Sequence, residues 1–334
     1  MHFSWMPFKS RKGALVLGIF LGIAGIIAGL VFGFFLLNPQ VKADVKPKSP
    51  IKSYTLKLEE ELIKDLKGKV PSTFIKRVFS SPKLRFLPGL MIRRLTWKEA
   101  KLPYYQFLEP ARIKRAYCFL IYNKEFLNSL EKRFGVDKEV LTAIFLVETN
   151  LGKNTGKFPV INVFYSLALA KHLDLLKNLA KQKGVRLTDP KVVRFIEKRS
   201  DWAYNELLYF LEICYKNHWN PFDVKGSVFG AFGYPQFVPK SYLTYGYDWN
   251  GDGIVDLYNV QDALASIANY LKKEGYSLNS TFQEKKKVIM KYNISEPYAD
   301  TVLKVAQALK AMEKKKVSAR WCYGNSTQRT GSEN

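Results

Sequence analysis

Residues 13–37 are twenty-five consecutive positions without a charge, preceded by Lys9, Arg11 and Lys12. As a helix such a run crosses a bilayer, whereas the apolar core of a cleaved signal peptide stops at about 7–15 residues. The feature therefore predicts an uncleaved signal anchor over 13–37, despite the small-residue sequence Val41-Lys-Ala43 beyond it. The basic residues before the span place 1–12 in the cytoplasm, so the rest of the chain is exported. Residues 38–53, rich in Pro and Lys, read as a linker; 54–315 reads as the folded part, and 316–334 as a basic, polar tail. Gly25, Gly29 and Gly33 repeat at four-residue spacing, which permits close packing of two anchors but leaves the oligomeric state open.

Export decides how the charge is read. Lys and Arg number 53 against 29 Asp and Glu, a formal +24. An exported domain does not meet genomic DNA, so nucleic acid is excluded in favour of anionic phospholipid headgroups or an acidic wall polymer. The alternative is that solvated lysine faces, as in heat-adapted proteins, explain most of the charge. Cys118, Cys214 and Cys322 form no CxxC pair and allow at most one bridge, whose partners the sequence leaves open. His2, His172 and His218 have no ligand spacing, which removes a histidine metal centre and a Ser/His/Asp site.

The folded part is expected to be mainly α. Helices are predicted over 58–66, 71–79, 112–134, 138–150, 163–183 and 190–217, with few strand signals and no internal repeat. The helix at 138–150 carries the most informative residue. Asp137 offers an N-cap, Glu139 suits the positive first turn and Gly152 a stop. Leu141, Ile144 and Phe145 share a face with Glu148 and turn that carboxyl toward an apolar interior. Desolvation there would raise its pKa toward the range of a general acid, although a buried ion pair gives the same pattern.

Two segments follow it. Gly226-Ser-Val-Phe-Gly-Ala-Phe-Gly-Tyr-Pro-Gln-Phe-Val-Pro239 interleaves glycines and aromatics around one amide, which suits backbone lining a sugar groove or a glycine-packed helix crossing. Asp248-Trp-Asn250-Gly-Asp252-Gly253-Ile254 matches the first half of an EF-hand loop, with oxygen ligands at positions 1, 3 and 5, glycine at 6 and the Ile254 carbonyl at 7. Position 12 holds Asn259, which reads as the N-cap of the next helix, with Asp262 at its third position as the closing carboxylate.

These blocks, with Tyr292-Asn-Ile-Ser-Glu-Pro-Tyr-Ala299, resemble the membrane-bound lytic transglycosylase B family over residues 104–309. The resemblance implies a lysozyme-like α-helical catalytic domain, with a helical N-terminal part at 54–103 and a core at 104–315. It also implies Glu148 as the single catalytic acid/base. Arg199, Ser227, Tyr234, Gln236, Tyr292, Asn293 and Tyr298 would bind substrate, and Asp248, Asn250, Asp252, Ile254 and Asp262 would hold a structural Ca²⁺. The chain departs from the pattern at Leu151, where an aromatic residue is usual, and at Pro235, where glycine is usual. It also lacks a lipid-anchored N-terminal cysteine and is longer over 171–198.

The implied activity is cleavage of the β-1,4 bond between N-acetylmuramic acid and N-acetylglucosamine in peptidoglycan, closing a 1,6-anhydro ring without water. The implied place is the bacterial cytoplasmic membrane, single-pass, with the catalytic domain in the periplasm near cell-wall synthesis or remodelling proteins. Rival readings are a lysozyme-type hydrolase on the same scaffold, a tethered peptidoglycan-binding protein without activity, and a calcium-stabilised structural protein.

Overall fold

The helix Lys138–Thr149 is buried along its whole length from Glu139 to Thr149, the residue on its supposed outer faces included. An apolar helix enclosed on all sides belongs at the centre of a domain. The computed structural model describes residues 50–97, 103–317 and 319–322. The predicted span 13–37 and most of the linker lie outside them, and among the described residues no helix is long and apolar enough to cross a membrane.

In chain order the helices are α1 (Pro50–Asp65), α2 (Ser72–Phe79), α3 (Gly89–Thr96), α4 (Pro110–Tyr122), α5 (Lys124–Phe134), α6 (Lys138–Thr149), α7 (Val160–Leu169), α8 (Lys177–Gln182), α9 (Pro190–Lys216), α10 (Pro239–Tyr245), α11 (Val260–Lys273), α12 (Phe282–Tyr292) and α13 (Glu296–Lys314). Short 3₁₀ turns occupy Tyr104–Leu108, Leu173–Leu176 and Ala319–Cys322. The strands β1 (Phe158–Pro159) and β2 (Lys225–Gly226) pair antiparallel, Phe158 opposite Gly226. The mainly α expectation holds. Helix α6 sits inside a ring made by α4, α5, α11 and α13, while α7 and α9 pack as a pair beside it.

Several boundaries differ from the sequence reading, each for a local reason. The predicted helix 112–134 is two helices, because Asn123 turns its side-chain amide back to the Phe119 carbonyl at 2.8 Å and ends α4. The predicted helix 163–183 stops at Leu169, and the chain then bends through His172, whose ring stacks on Tyr54 at 3.7 Å. Helix α1 begins at Pro50, inside the expected linker, since proline at a first helical position loses no hydrogen bond. Asp137 occupies the N-cap of α6 without capping it: its carboxylate accepts from Tyr276 at 2.7 Å and from Lys285 at 2.7 Å.

The cysteine question is also answered. Cys118 and Cys322 are joined, with Cα atoms 5.5 Å apart, while Cys214 is buried and free. The start of the expected tail is therefore held on α4. Tyr117 donates to the Val317 carbonyl at 2.9 Å and the Lys114 ammonium lies 4.7 Å from the Trp321 ring.

Candidate active site

Glu148 lies one residue from the end of α6 and is 1% exposed. The helix stops because Asn150 and Leu151 both turn left-handed, with φ of 53° and 59°, two residues before the glycine expected to end it. Arg115 on α4 donates to the Asn150 side chain at 2.7 Å and braces that turn. Gly152 follows at φ 82°, and a Cβ there would stand 3.1 Å from the Tyr234 ring.

The exit loop then meets the glycine-rich segment. A Cβ on Gly156 would fall 2.1 Å from the Gly226 carbonyl, so only glycine lets the two backbones approach this closely. Gly226 and Phe232 bridge, as do Phe232 and Phe237, and the segment is a folded-back irregular ribbon rather than a helix crossing. Gln236 (φ 51°) is 2% exposed, and its amide nitrogen donates to Thr155 O at 3.1 Å and Gly233 O at 2.8 Å. The buried Ser227 oxygen accepts the N–H groups of Phe229 and Ala231 at 3.2 Å each, so it organises the ribbon. Tyr234 packs on Phe145 at 5.3 Å and on Tyr258 at 6.3 Å, which makes it a wall of the same region.

Helices α12 and α13 close the opposite side. Tyr298, in the first turn of α13, donates its phenol to Glu148 Oε1 at 2.6 Å. Tyr292, the last residue of α12, donates to the Pro235 carbonyl. Burial, and then the nearby Glu148 charge, hold both phenols well above their ordinary pKa, so both stay protonated at any physiological pH. The hydrogen bond from Tyr298 thus always runs toward the carboxyl. Two buried polar atoms flank the Tyr292–Pro235 bond without a partner, Asn293 Nδ2 and Gln236 Oε1. A donor and an acceptor left open beside a buried acid suit a ligand rich in amides and hydroxyls.

Glu148, Tyr234, Gln236, Tyr292, Asn293 and Tyr298 are therefore brought to one region by direct bonds and chain adjacency. Arg199 sits elsewhere in the bond network: its guanidinium lies 4.5 Å from the Trp202 ring on α9. Burial, and then the like charge of Arg94, lower its pKa. Arg94 itself covers the Phe229 ring at 4.8 Å, linking this basic, aromatic face to the ribbon next to Ser227. Tyr104, whose ring meets Tyr298 edge-on at 6.0 Å, was missed in the sequence because nothing marks it apart from other tyrosines. Glu206 was missed for the same reason. It is buried, accepts the Lys240 N–H at 2.9 Å and so anchors the first turn of α10 directly after the ribbon; burial raises its pKa to about 7.

The Asp248 loop adjoins the ribbon, where the Tyr234 N–H donates to the Leu257 carbonyl at 2.8 Å. Asp248 accepts N–H groups from Gly251 and Gly253, Asn250 from Asp252, and Asp252 from Ile254. Asp262, fully buried, accepts from Trp249 and Asp256 at 2.9 Å each, while Asn259 caps α11 by accepting from Gln261. The donors are all hard oxygens, glycines occupy the left-handed positions 251 and 253, and no Lys or Arg pairs with these acids among the described residues. Such a set has the donor chemistry a hard divalent cation takes, although among the described residues the Asp248, Asp252 and Asp262 carboxylate oxygens do not gather within 4.8 Å of one another. A second acidic group, Glu131, Asp137 and Glu139, clusters its oxygens within 4.8 Å but is already met by Lys138, Lys285 and Lys310.

Comparison with known proteins places this geometry. The transglycosylase SLT domain matches residues 72–285. The membrane-bound lytic murein transglycosylase B of Escherichia coli (strain K12) is 28% identical over 171 residues, which are 51% of this chain. The match spans 40% of that relative's length. The Escherichia coli lytic transglycosylase Slt35, solved with bulgecin A and with calcium, superposes with TM-scores of 0.63 and 0.61 at 20% identity, covering 78% of this chain and 94% of that one. SltB3 from Pseudomonas aeruginosa, in complex with NAG-NAM-pentapeptide, gives 0.62 at 20% identity over 79% of this chain and 80% of its own. The structural matches establish the lysozyme-like helical fold expected from the sequence.

Proposed function

The chain belongs to the transglycosylase SLT domain family, and from that premise we propose that it is a lytic transglycosylase acting on peptidoglycan with Glu148 as its acid and base. The observation that carries the reading is the buried Glu148 carboxyl, hydrogen-bonded by Tyr298 and close enough for its charge to act on the buried Tyr292 phenol, which the unpartnered side-chain amide of Asn293 follows in the chain.

The chemistry follows from one carboxyl. Protonated Glu148 gives its proton to the glycosidic oxygen between N-acetylmuramic acid and N-acetylglucosamine as that bond breaks. The neighbouring N-acetyl group stabilises the oxocarbenium-like carbon. Glu148, now ionised, takes the proton of the same muramic acid's C6 hydroxyl, whose oxygen closes on C1. The Tyr298 phenol supports the ionised stage, because a hydrogen bond to a charged acceptor is about twice as strong as one to a neutral acceptor. Glycosidases of the two-carboxylate type need a second acid. Among the described residues no second carboxylate is hydrogen-bonded to Tyr298 or Tyr292.

Tyr234 and Tyr292 supply faces and walls to the sugars in this reading, Gln236 and Asn293 bond amide or hydroxyl groups, and Arg199 and Ser227 lie along the approach. Asp248, Asn250, Asp252, the Ile254 carbonyl and Asp262 hold Ca²⁺, which stiffens the loop between the ribbon and α11 and takes no part in the reaction. The solved Slt35 complex with calcium supports calcium binding by this fold, and the SltB3 complex with NAG-NAM-pentapeptide supports the substrate. The apolar run 13–37 tethers the domain to the cytoplasmic membrane, facing the wall, in keeping with the membrane-bound relative. Glu148→Gln tests the assignment: release of soluble muropeptides from sacculi falls by about 10³-fold or more with an unchanged melting temperature. Retained release removes Glu148 from the mechanism.

A further inference from the structure

We propose that the end of the domain formed by the start of α1, by α8 and by the first turns of α9 docks on an anionic lipid bilayer; the proposal rests on the anchor reading of residues 13–37. Helix α1 meets α9 at its C-terminal end and runs in the same sense, since Tyr204 donates to Asp65 at 2.7 Å and Lys69, just past α1, reaches Glu212 further along α9 at 3.5 Å. Tracing back from those contacts to Tyr54 and to Lys191 covers roughly 16 and 20 Å at 1.5 Å per residue, so both N-termini emerge at one end. Helix α8 is at that end too. Tyr54 stacks on His172 and reaches Asp174 at 3.4 Å, and α8 begins three residues later.

This end is basic and unneutralised. Residues 177–198 contain Lys177, Lys181, Lys183, Arg186, Lys191, Arg194 and Lys198 against Asp189 and Glu197, and all seven cations are exposed. None of the seven forms an ion pair among the described residues, although other surface lysines do, such as Lys216 with Glu212 at 2.7 Å. Phe195 is exposed among them. Cations around an exposed aromatic suit a lipid interface, where the charges meet phosphates and the ring enters the headgroup region.

The tether selects the bilayer over an acidic wall polymer. Only residues 38–49 separate the apolar run from α1. Twelve residues reach at most about 40 Å when fully extended. Helix α9, with 27 residues, is itself about 40 Å long, so its basic N-terminal end is the one the short tether delivers to the membrane. Docking there points the rest of the domain away from the bilayer and toward the wall.

The test uses the full chain in neutral phosphatidylcholine vesicles and in vesicles with about 30% phosphatidylglycerol, with amine acetylation rates read by mass spectrometry. Lys177, Lys181, Lys183 and Lys191 are expected to react about threefold or more slowly on the anionic vesicles at low salt, with Lys132 and Lys304 unchanged as references and protection lost near 1 M salt. Equal rates on both vesicles, in a chain that floats with both, overturn the docking surface while leaving the anchor intact. Protection of these lysines on neutral vesicles only after an anionic wall polymer is added overturns it in favour of that polymer. A chain that fails to float even on neutral vesicles refutes the anchor and the surface with it. Activity on soluble glycan strands, unchanged in any of these cases, keeps the catalytic reading separate.

Discussion

The two ends of helix α6 treat buried acids in opposite ways. At its N-terminal end Asp137 meets Lys285 at 2.7 Å and Lys310 at 3.4 Å. At its C-terminal end Glu148 takes a hydrogen bond from the phenol of Tyr298. An ammonium partner fixes a carboxylate in its charged form, which is useful for holding helices together and useless for an acid that must gain and lose a proton. A phenol that stays protonated bonds the carboxyl in either state. The comparison favours a structural role for the Asp137 end of the helix and supports the proposal that Glu148 does the chemistry.

The largest effect outside the proposed catalytic residue should come from the Asp137 end. Asp137→Asn strips the carboxylate from beneath two lysines and a tyrosine, and is expected to cost about 3 kcal/mol in urea unfolding while leaving turnover per folded molecule unchanged. Its pH signature has a definite sign. Hydrogen bonds from Lys285 and Tyr276 outweigh burial and hold the Asp137 pKa below the ordinary value. Its contribution is therefore present above the unfolded pKa, near 4, and is lost as pH falls through the folded one, so the variant should lose that acid limb. A turnover loss exceeding the stability loss would break the division between the two ends.

The Asp248 loop extends the comparison to acids that meet neither lysine nor phenol among the described residues. With Ca²⁺ at a hundredfold excess over its Kd, the folded state gains about 2.7 kcal/mol. Chelation should lower the melting temperature by several degrees, and Asp248→Ala should abolish that response. An unchanged melting curve with and without chelator would make the loop a set of Asx turns and nothing more.

Smaller effects sharpen the chemical end. Tyr298→Phe deletes one hydrogen bond to Glu148 and is expected to lower kcat about tenfold, with KM nearly constant and stability changed by about 1 kcal/mol. A further effect concerns Glu139, whose pKa burial and the hydrogen bond shared with Glu313 raise to about 7. A raised carboxyl pKa means the fold prefers the neutral form, so stability falls as pH climbs from the unfolded pKa, near 4.5, to about 7. Glu139→Gln should therefore stabilise the protein at pH 8 and leave it unchanged at pH 4, as read by denaturant midpoints.

Much of the site was legible because its signals are local. Glu148 stands out as an acid in an apolar run and is buried at the end of α6, and the Asp248 loop stands out as oxygen side chains at fixed spacing. Asn259 caps α11 as its position before Val260 suggested. What escaped depends on partners far along the chain. Asp137 looks like a cap until Tyr276, Lys285 and Lys310 arrive to claim its oxygens. The break at His172 needs Tyr54, and the Cys118–Cys322 bridge closes over 204 residues that no spacing rule relates. Ser227 has the right chemistry for a sugar ligand, yet its oxygen accepts two N–H groups of its own ribbon, a role set by the bends at Gly226 and Gly230.

Mass analysis of the soluble products from purified sacculi tests the central claim most directly. Products carrying 1,6-anhydromuramic acid ends, lighter by one water than hydrolysis products, and lost in Glu148→Gln, are the predicted result. Hydrated reducing ends, or anhydro products that persist in the Glu148→Gln protein, would contradict a single-carboxyl transglycosylase centred on Glu148.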